Sequence, residues 1–198
     1  MKVLFIDACP RDRNLSRSYR LGRAFMDEYL RLNPDACVTE YRLNDMDFQP
    51  LTGNVEKKRS EMSVAEKLTA STYRPARDFA NADMIVICAP YWDFAFPASL
   101  KAFIENICVY GITFRYENDL PVGLCRASNL VYLTSAGSHI GSDNWGGGYL
   151  EAVTGKLLGV KTFHQITADG LDLENANVEG IMTSAILRAK TLAARIRI

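Results

Sequence analysis

Apolar residues in this chain fall into short unbroken runs separated by amphipathic stretches. Val3-Leu4-Phe5-Ile6, within Lys2 to Ala8, is one run, and Met84-Ile85-Val86-Ile87-Cys88, within Asp83 to Ala89, is another. A run apolar at every position has no side for water, which suits a strand buried on both faces of a parallel sheet. Ala36 to Leu43 reads as a second strand. Its Val38 alternates with polar neighbours, which places it nearer an edge. Asn129 to Thr134 and Lys161 to Ala168 complete five strands.

Between the strands, apolar positions recur at helical spacing. Ser16 or Ser18 caps a helix with Leu21, Phe25 and Tyr29 on one stripe, and Asn33-Pro34-Asp35 ends it. Ser63 to Ala82 predicts a helix broken near Tyr73, restarted with Pro75 in a first turn. Pro97 opens a helix carrying Leu100, Phe103, Ile104 and Ile107, which Gly111 stops. Tyr149 to Leu158 is a short helix, and the last helix presents Val178, Met182, Ala185, Ala189 and Ile196 on one face. Asn44 to Glu61 is polar, with Pro50, Gly53 and Lys57-Lys58-Arg59, and reads as a long loop. It is either a solvated connection or a cover over a site or a neighbouring subunit. Five strands alternating with five helices predict an α/β fold, an open parallel sheet covered on both faces, with residues 1–198 as one domain.

Composition narrows the function. Lys+Arg and Asp+Glu both total 23, a balance without the basic excess that nucleic-acid binding needs. The apolar run Met84 to Trp92 ends at Asp93, far short of the about 20 residues that span a bilayer. Val3 to Ile6 is too short for a signal-peptide core. The expectation is a cytoplasmic protein with no membrane and no nucleic-acid partner. The five cysteines are scattered without a Cys-x-x-Cys pair, as reduced structural thiols are. Neither His139 nor His164 has a spaced Cys or His partner, so no metal site is expected.

In an open α/β sheet, ligands bind at the carboxyl ends of the strands. Three loops leave those ends. The first, after strand one, holds Arg11, Arg13, Ser16, Arg17 and Ser18 at a helix start, where free amides, hydroxyls and guanidinium groups can cradle a phosphate. The alternative is a capped, solvated helix start. It is neither a Walker loop nor a Gly-x-Gly-x-x-Gly turn. Cys9 has the place of a phosphatase thiolate, but the position six residues on, where that chemistry needs an arginine, is Leu15. The second loop runs Pro90-Tyr91-Trp92-Asp93-Phe94-Ala95-Phe96-Pro97. So many rings suit a flat, partly apolar ligand; the alternative is a hydrophobic plug between strand and helix. The third loop opens Ser135-Ala136-Gly137-Ser138-His139. Gly137 lets a backbone N–H approach a ligand closely. His139 either protonates a product or faces solvent.

Ala89-Pro90-Tyr91-Trp92-Asp93-Phe94, Pro97-Ala98-Ser99-Leu100-Lys101-Ala102-Phe103-Ile104-Glu105, Gly111-Ile112-Thr113-Phe114-Arg115-Tyr116, Leu133-Thr134-Ser135-Ala136-Gly137 and the spacing of Ser16-Arg17-Ser18 together resemble one family. It is the FMN-dependent NADH:azoreductase and NAD(P)H:quinone reductase family, of flavodoxin-like fold with strand order 2-1-3-4-5. The resemblance implies FMN phosphate on Ser16, Arg17 and Ser18. It implies Pro90, Tyr91, Trp92, Asp93 and Phe94 along the ribityl chain and ring, Ser135, Ala136, Gly137 and Ser138 on the pyrimidine side, and Cys9 among the cofactor contacts. NADH or NADPH would pass a hydride to flavin N5, and a quinone, azo or nitroaromatic acceptor would then receive it. No catalytic acid or base is implied. A homodimer with the flavin near the subunit interface is implied too. Azoreductases often carry Ser at the position of Cys9, Asn at Asp93 and Arg-Gly-Gly at Ala136-Gly137-Ser138. These departures bear on side-chain contacts and substrate choice. The alternative function is a flavin-binding electron carrier or redox sensor without efficient NAD(P)H turnover.

Overall fold

The structure is a computed structural model that describes residues 1–196; Arg197 and Ile198, the last positions of the expected 1–198 domain, lie outside the described residues. Its strands are β1 (Lys2–Asp7), β2 (Cys37–Arg42), β3 (Met84–Pro90), β4 (Phe114–Glu117), β5 (Leu120–Gly123), β6 (Asn129–Ser135) and β7 (Thr162–Ala168). Five of them form one sheet in the order β2-β1-β3-β6-β7, and every pairing is parallel. Counted along the sheet's own strands this is the expected order 2-1-3-4-5, and β2, the strand of mixed polarity, takes an edge.

Register explains why the central strands are apolar throughout. Phe5, Val86 and Val131 are neighbours across β1, β3 and β6 and face one core; Ile6, Ile87 and Tyr132, one residue on, face the other. Side chains alternate faces, so a strand covered on both sides needs an apolar residue at each position. Helix α1 (Arg17–Leu32) covers the first face with Leu21, Phe25, Met26 and Tyr29. Beside it the last helix, Val178–Arg195, buries Met182, Ala185, Ala189 and Ala193, and its small residues let the two helices approach closely.

The other face is covered by more helices than the sequence pattern predicts. The segment read as the loop Asn44 to Glu61 contains a 3-10 turn (Leu43–Asp45) and helix α2 (Gly53–Glu61). Helix α2 buries none of its residues, so it has no apolar stripe for a periodicity argument to find. It is held by Arg59, whose Nη1 donates to the carbonyls of Glu105 and Cys108 at 3.1 and 3.2 Å. The expected helix Ser63 to Ala82 does break near Tyr73, into α3 (Val64–Thr69), a 3-10 turn (Ser71–Tyr73) and α4 (Arg74–Asn81), with Pro75 in the first turn of α4. Helix α5 (Ala98–Ile107) buries Leu100, Phe103, Ile104 and Ile107 as expected. Helix α6 (Trp145–Ala152) starts earlier than Tyr149 and runs into a π-helical turn, Val153–Leu157; α7 is Val178–Arg195. The β4–β5 hairpin was not anticipated. Its signal lay in Asn118-Asp119, which both take positive φ (50° and 63°), as tight hairpin turns require. No described helix is long and apolar enough to cross a membrane.

Phe103 is the aromatic hub of this face, edge-on to Tyr41 (6.2 Å) and Phe48 (5.2 Å) and fully buried. Phe103→Ala should lower unfolding free energy by about 3–5 kcal/mol in denaturant titrations. Truncating the exposed Leu187 should change it by less than about 0.5 kcal/mol.

Candidate functional site

Strand β1 is paired with β2 on one edge and β3 on the other; the chain leaving β1 turns back to β2 while the chain leaving β3 goes on to β6, so the two connections part at the carboxyl end of the sheet. A cleft of about 220 Å³ opens there. Its lining comes from the loop after β1 (Pro10, Arg11), the start of α1 (Ser16, Arg17, Ser18), the end of β3 (Pro90, Tyr91, Trp92), the end of β6 (Ser135, Ala136, Gly137) and the loop after β7 (Leu171, Asp172).

Its floor is the first turn of α1. Ser16 is the N-cap, its Oγ accepting from the Tyr19 amide at 3.2 Å. The amides of Arg17 and Ser18 come before the first intrahelical donor, Arg20 N, and have no acceptor among the described residues, so they are free at the positive end of the helix dipole. The buried Ser18 Oγ lies 2.7 Å from Ser135 Oγ, tying α1 to the end of β6. Arg17 reaches across the mouth to Asp172, with Nη1 to Oδ1 at 2.8 Å between partly exposed side chains. Arg11 and Arg17 against Asp172 leave an excess of one positive charge, and donors outnumber acceptors. That donor set suits an anion such as a phosphate.

The second wall is a strained turn. The Ala95 amide donates to the Trp92 carbonyl at 2.7 Å, and the two residues between, Asp93 and Phe94, take positive φ of 49° and 64°. Left-handed backbone costs a non-glycine residue about 1–2 kcal/mol. Its surroundings enforce it. Tyr91 donates its amide to Ser135 O (2.9 Å) and its hydroxyl to Asp143 O (2.7 Å). On the far side Gly146 packs directly on the turn, where a Cβ would lie 2.9 Å from the Ala95 carbonyl carbon. Burial first, then the nearby Asp143 carboxylate, raise the Tyr91 phenol pKa, so it stays a donor. The amides of Asp93 and Phe94 have no acceptor among the described residues.

The third wall locks to the loop after β7. Ala136 N donates to Ala168 O and Asp172 N to Gly137 O, both at 2.9 Å, and a Cβ on Gly137 would collide with the Asp172 side chain.

Of the residues singled out in the sequence, Ser16, Arg17, Ser18, Pro90, Tyr91, Trp92, Ser135, Ala136 and Gly137 converge on this cleft. Asp93 and Phe94 stand on its rim rather than in its lining. Trp92 is 42% and Phe94 60% exposed, so these rings do not plug the core; Phe96 is the one that packs inward. Ser138 lies beyond the lining, its carbonyl accepting from Gly170 N at 3.0 Å. Cys9 is buried behind the cleft with its Sγ 3.5 Å from Cys88 O. His139 is exposed, with Nδ1 3.4 Å from Asp169 Oδ2, off the lining. The sequence reading omitted Leu171 and Asp172, although the rule that selected the other loops applies equally to the loop after the last strand.

The flavodoxin-like fold family matches residues 1–192. An FMN-dependent NADH:quinone oxidoreductase 2 from Clostridium acetobutylicum is 34% identical over 197 residues, spanning 97% of this chain and 98% of that protein. An FMN-dependent NADH:quinone oxidoreductase from Clostridium perfringens is 34% identical over 196 residues, with the same coverage. Among solved structures, an azoreductase from Bacillus anthracis aligns over 98% of this chain and 99% of that one, at 23% identity and a TM-score of 0.86. A Bacillus anthracis FMN-dependent NADH-azoreductase in complex with FMN aligns over the same shares, at 23% identity and 0.84. The structural likeness carries the fold and the sequence likeness carries the kinship: the chain belongs to the flavodoxin-like fold family, within its group of FMN-dependent NADH:quinone oxidoreductases.

Proposed function

We propose that the cleft binds FMN and that the protein is an NAD(P)H-dependent reductase of quinone, azo or nitroaromatic acceptors. One observation carries this reading: an anion-binding helix start and a strained aromatic turn with free amides face the same cleft. Kinship with FMN-dependent NADH:quinone oxidoreductases supports it. Residues 1–198 act as one flavin-binding domain, and free cysteines agree with a cytoplasmic setting.

The residues present fit the cofactor. Ser16, Arg17 and Ser18 hold the phosphate, which competes with Asp172 for the Arg17 guanidinium. Tyr91 and Trp92 would flank the ribityl chain, and Ser135, Ala136 and Gly137 would form the wall on the pyrimidine side, with Ser138 just beyond it. The left-handed turn at Asp93 and Phe94 leaves two amides without an acceptor among the described residues, which would be available to the edge of the ring. Cys9 lies buried behind the cleft, with its Sγ on the Cys88 carbonyl. FMN, once bound, supplies hydride acceptance and donation at N5. The protein positions the ring, keeps its reactive side open to a flat acceptor and leaves protonation to solvent.

A cleft of about 220 Å³ is below the about 300–1,000 Å³ usual for such ligands, so the rim must bear part of the ring. That rim is exposed, and a second aromatic group lies nearby in sequence, the exposed Tyr110 and Tyr116 packing edge-to-face on the half-buried Phe114. Covering both groups favours a homodimer.

Acid extraction of the purified protein should release FMN, and the protein should oxidise NADH or NADPH continuously when a quinone is supplied. Recovery of FAD would contradict the cofactor assignment. Bound FMN without nicotinamide turnover would make the protein an electron carrier instead. Light scattering at micromolar concentration should give twice the chain mass of 22.1 kDa; a monomer there would refute the dimer.

A further inference from the structure

Behind the first loop, three groups that the reduction does not use converge. Asp7 closes β1, Cys9 follows it, and Cys88 on β3 is the cross-strand partner of Asp7. All three are buried. The sulfurs of Cys9 and Cys88 are 3.9 Å apart, and Cys88 Sγ is 3.9 Å from Asp7 Oδ1. One ligand atom from each residue lies within 4.8 Å of the other two.

That separation has a chemical meaning. Tetrahedral coordination with metal–sulfur bonds of about 2.3 Å places ligand atoms about 3.8 Å apart. A disulfide would need about 2.05 Å between the sulfurs. As hydrogen bonds, these thiol contacts are long and weak. The three atoms therefore stand at the corners a small, soft cation requires.

Charge agrees with spacing. Asp7 Oδ2 accepts from Arg13 Nε at 2.9 Å, while Oδ1 accepts from the Cys9 amide at 3.1 Å and faces Cys88. Two thiolates and a carboxylate buried together need neutralising. A dication and the Arg13 guanidinium match their three negative charges. The carboxylate is oriented by partners other than the cation, as effective metal ligands are.

We propose that Asp7, Cys9 and Cys88 form a binding site for a thiophilic divalent cation of the zinc–cadmium class. Both thiols release their protons to solvent as two metal–sulfur bonds form, and Asp7 Oδ1 makes the third bond. Nothing is oxidised or reduced, and the remaining position is left to water. No local Cys or His spacing announces this site, because pairing of β1 with β3 brings Cys88 to residues 79 and 81 positions earlier in the chain. A bound cation would fasten the start of the first loop to β3. That loop continues through Arg13 to the Ser16 cap, so the phosphate cradle would be stiffened without touching the cation. The site does not depend on the flavin reading, since its ligands lie outside the lining of the cleft.

The probe is Cd²⁺, added to the chelator-treated, thiol-reduced protein with its flavin in place. Thiolate-to-cadmium absorbance in the ultraviolet should saturate at one ion per chain. Cys9→Ser and Cys88→Ser should each abolish that saturable uptake, whereas Cys37→Ser, at an exposed cysteine, should leave it unchanged. Far-ultraviolet circular dichroism reports whether each variant is folded. Cadmium NMR on the unaltered chain needs no variant: one resonance in the range of mixed thiolate and oxygen ligation is expected. No saturable uptake, uptake that survives Cys88→Ser in a folded variant, or a resonance typical of oxygen ligands alone would each overturn the proposal. The flavin spectrum and NADH oxidation of the unaltered protein test the flavin reading separately.

Discussion

Strand β1 is hydrogen-bonded along both edges, to β2 and β3, and packed on both faces by apolar side chains. With every side occupied, its chain can leave only at the carboxyl end of the sheet. β1 connects back to β2 on one side while β3 connects onward to β6 on the other, so the loops leaving β1 and β3 part and a gap is unavoidable. Everything chemical in this molecule is arranged around that gap. Helix α1 begins beside it because Ser16 caps it there, and the free amides of its first turn point at the opening. The same pairing that makes the gap also sets Cys88 next to Asp7.

The turn at Asp93 and Phe94 is where the described backbone carries two consecutive left-handed non-glycine residues beside the cleft. Two consecutive non-glycine residues in the left-handed region persist only when the surroundings over-determine them. Here they do. The hydroxyl of Tyr91, the close approach of Gly146 and the inward packing of Phe96 on Tyr149 fix the turn from three directions. What remains exposed is a rim of rings and two free amides. An exposed apolar rim beside a donor-rich helix start is the mixed surface that the proposed flavin, with a charged tail and a flat ring, requires.

Features written in local patterns were legible in the sequence, and features made by tertiary pairing were not. The doubly buried strands declared themselves through unbroken runs such as Met84 to Cys88. Pro75 marked one helix start through its fixed backbone, and Ser16, one of two candidate caps with Ser18, marked another through its side-chain oxygen. The loops around Ser16–Ser18, Tyr91–Trp92 and Ser135–Gly137 could be chosen because fold class alone says where ligands bind. Helix α2 escaped because it is polar all round and stands on Arg59 rather than on an apolar face. Asp172 was within reach of the same rule, since it lines the cleft from the loop after the last strand of the sheet; only its ion pair with Arg17, 155 positions away, was beyond the sequence. The thiol pair escaped for a like reason: Cys9 and Cys88 are separated by 79 positions and meet only through sheet register.

The central claim is that the first turn of α1 binds the phosphate of a flavin. Riboflavin, which lacks that phosphate, isolates it. Flavin-fluorescence titrations of the apo-protein and of Ser18→Ala with both ligands test it most directly. Ser18 is the better choice than Ser16, because Ser16 also caps the helix and its loss would cost about 1 kcal/mol by that route alone. The account predicts that the native chain binds FMN far more tightly than riboflavin. Ser18→Ala should weaken FMN by about tenfold, the effect of one hydrogen bond to a charged acceptor, and leave riboflavin unchanged. Equal affinity for the two flavins, or an equal loss of both in the variant, would contradict it.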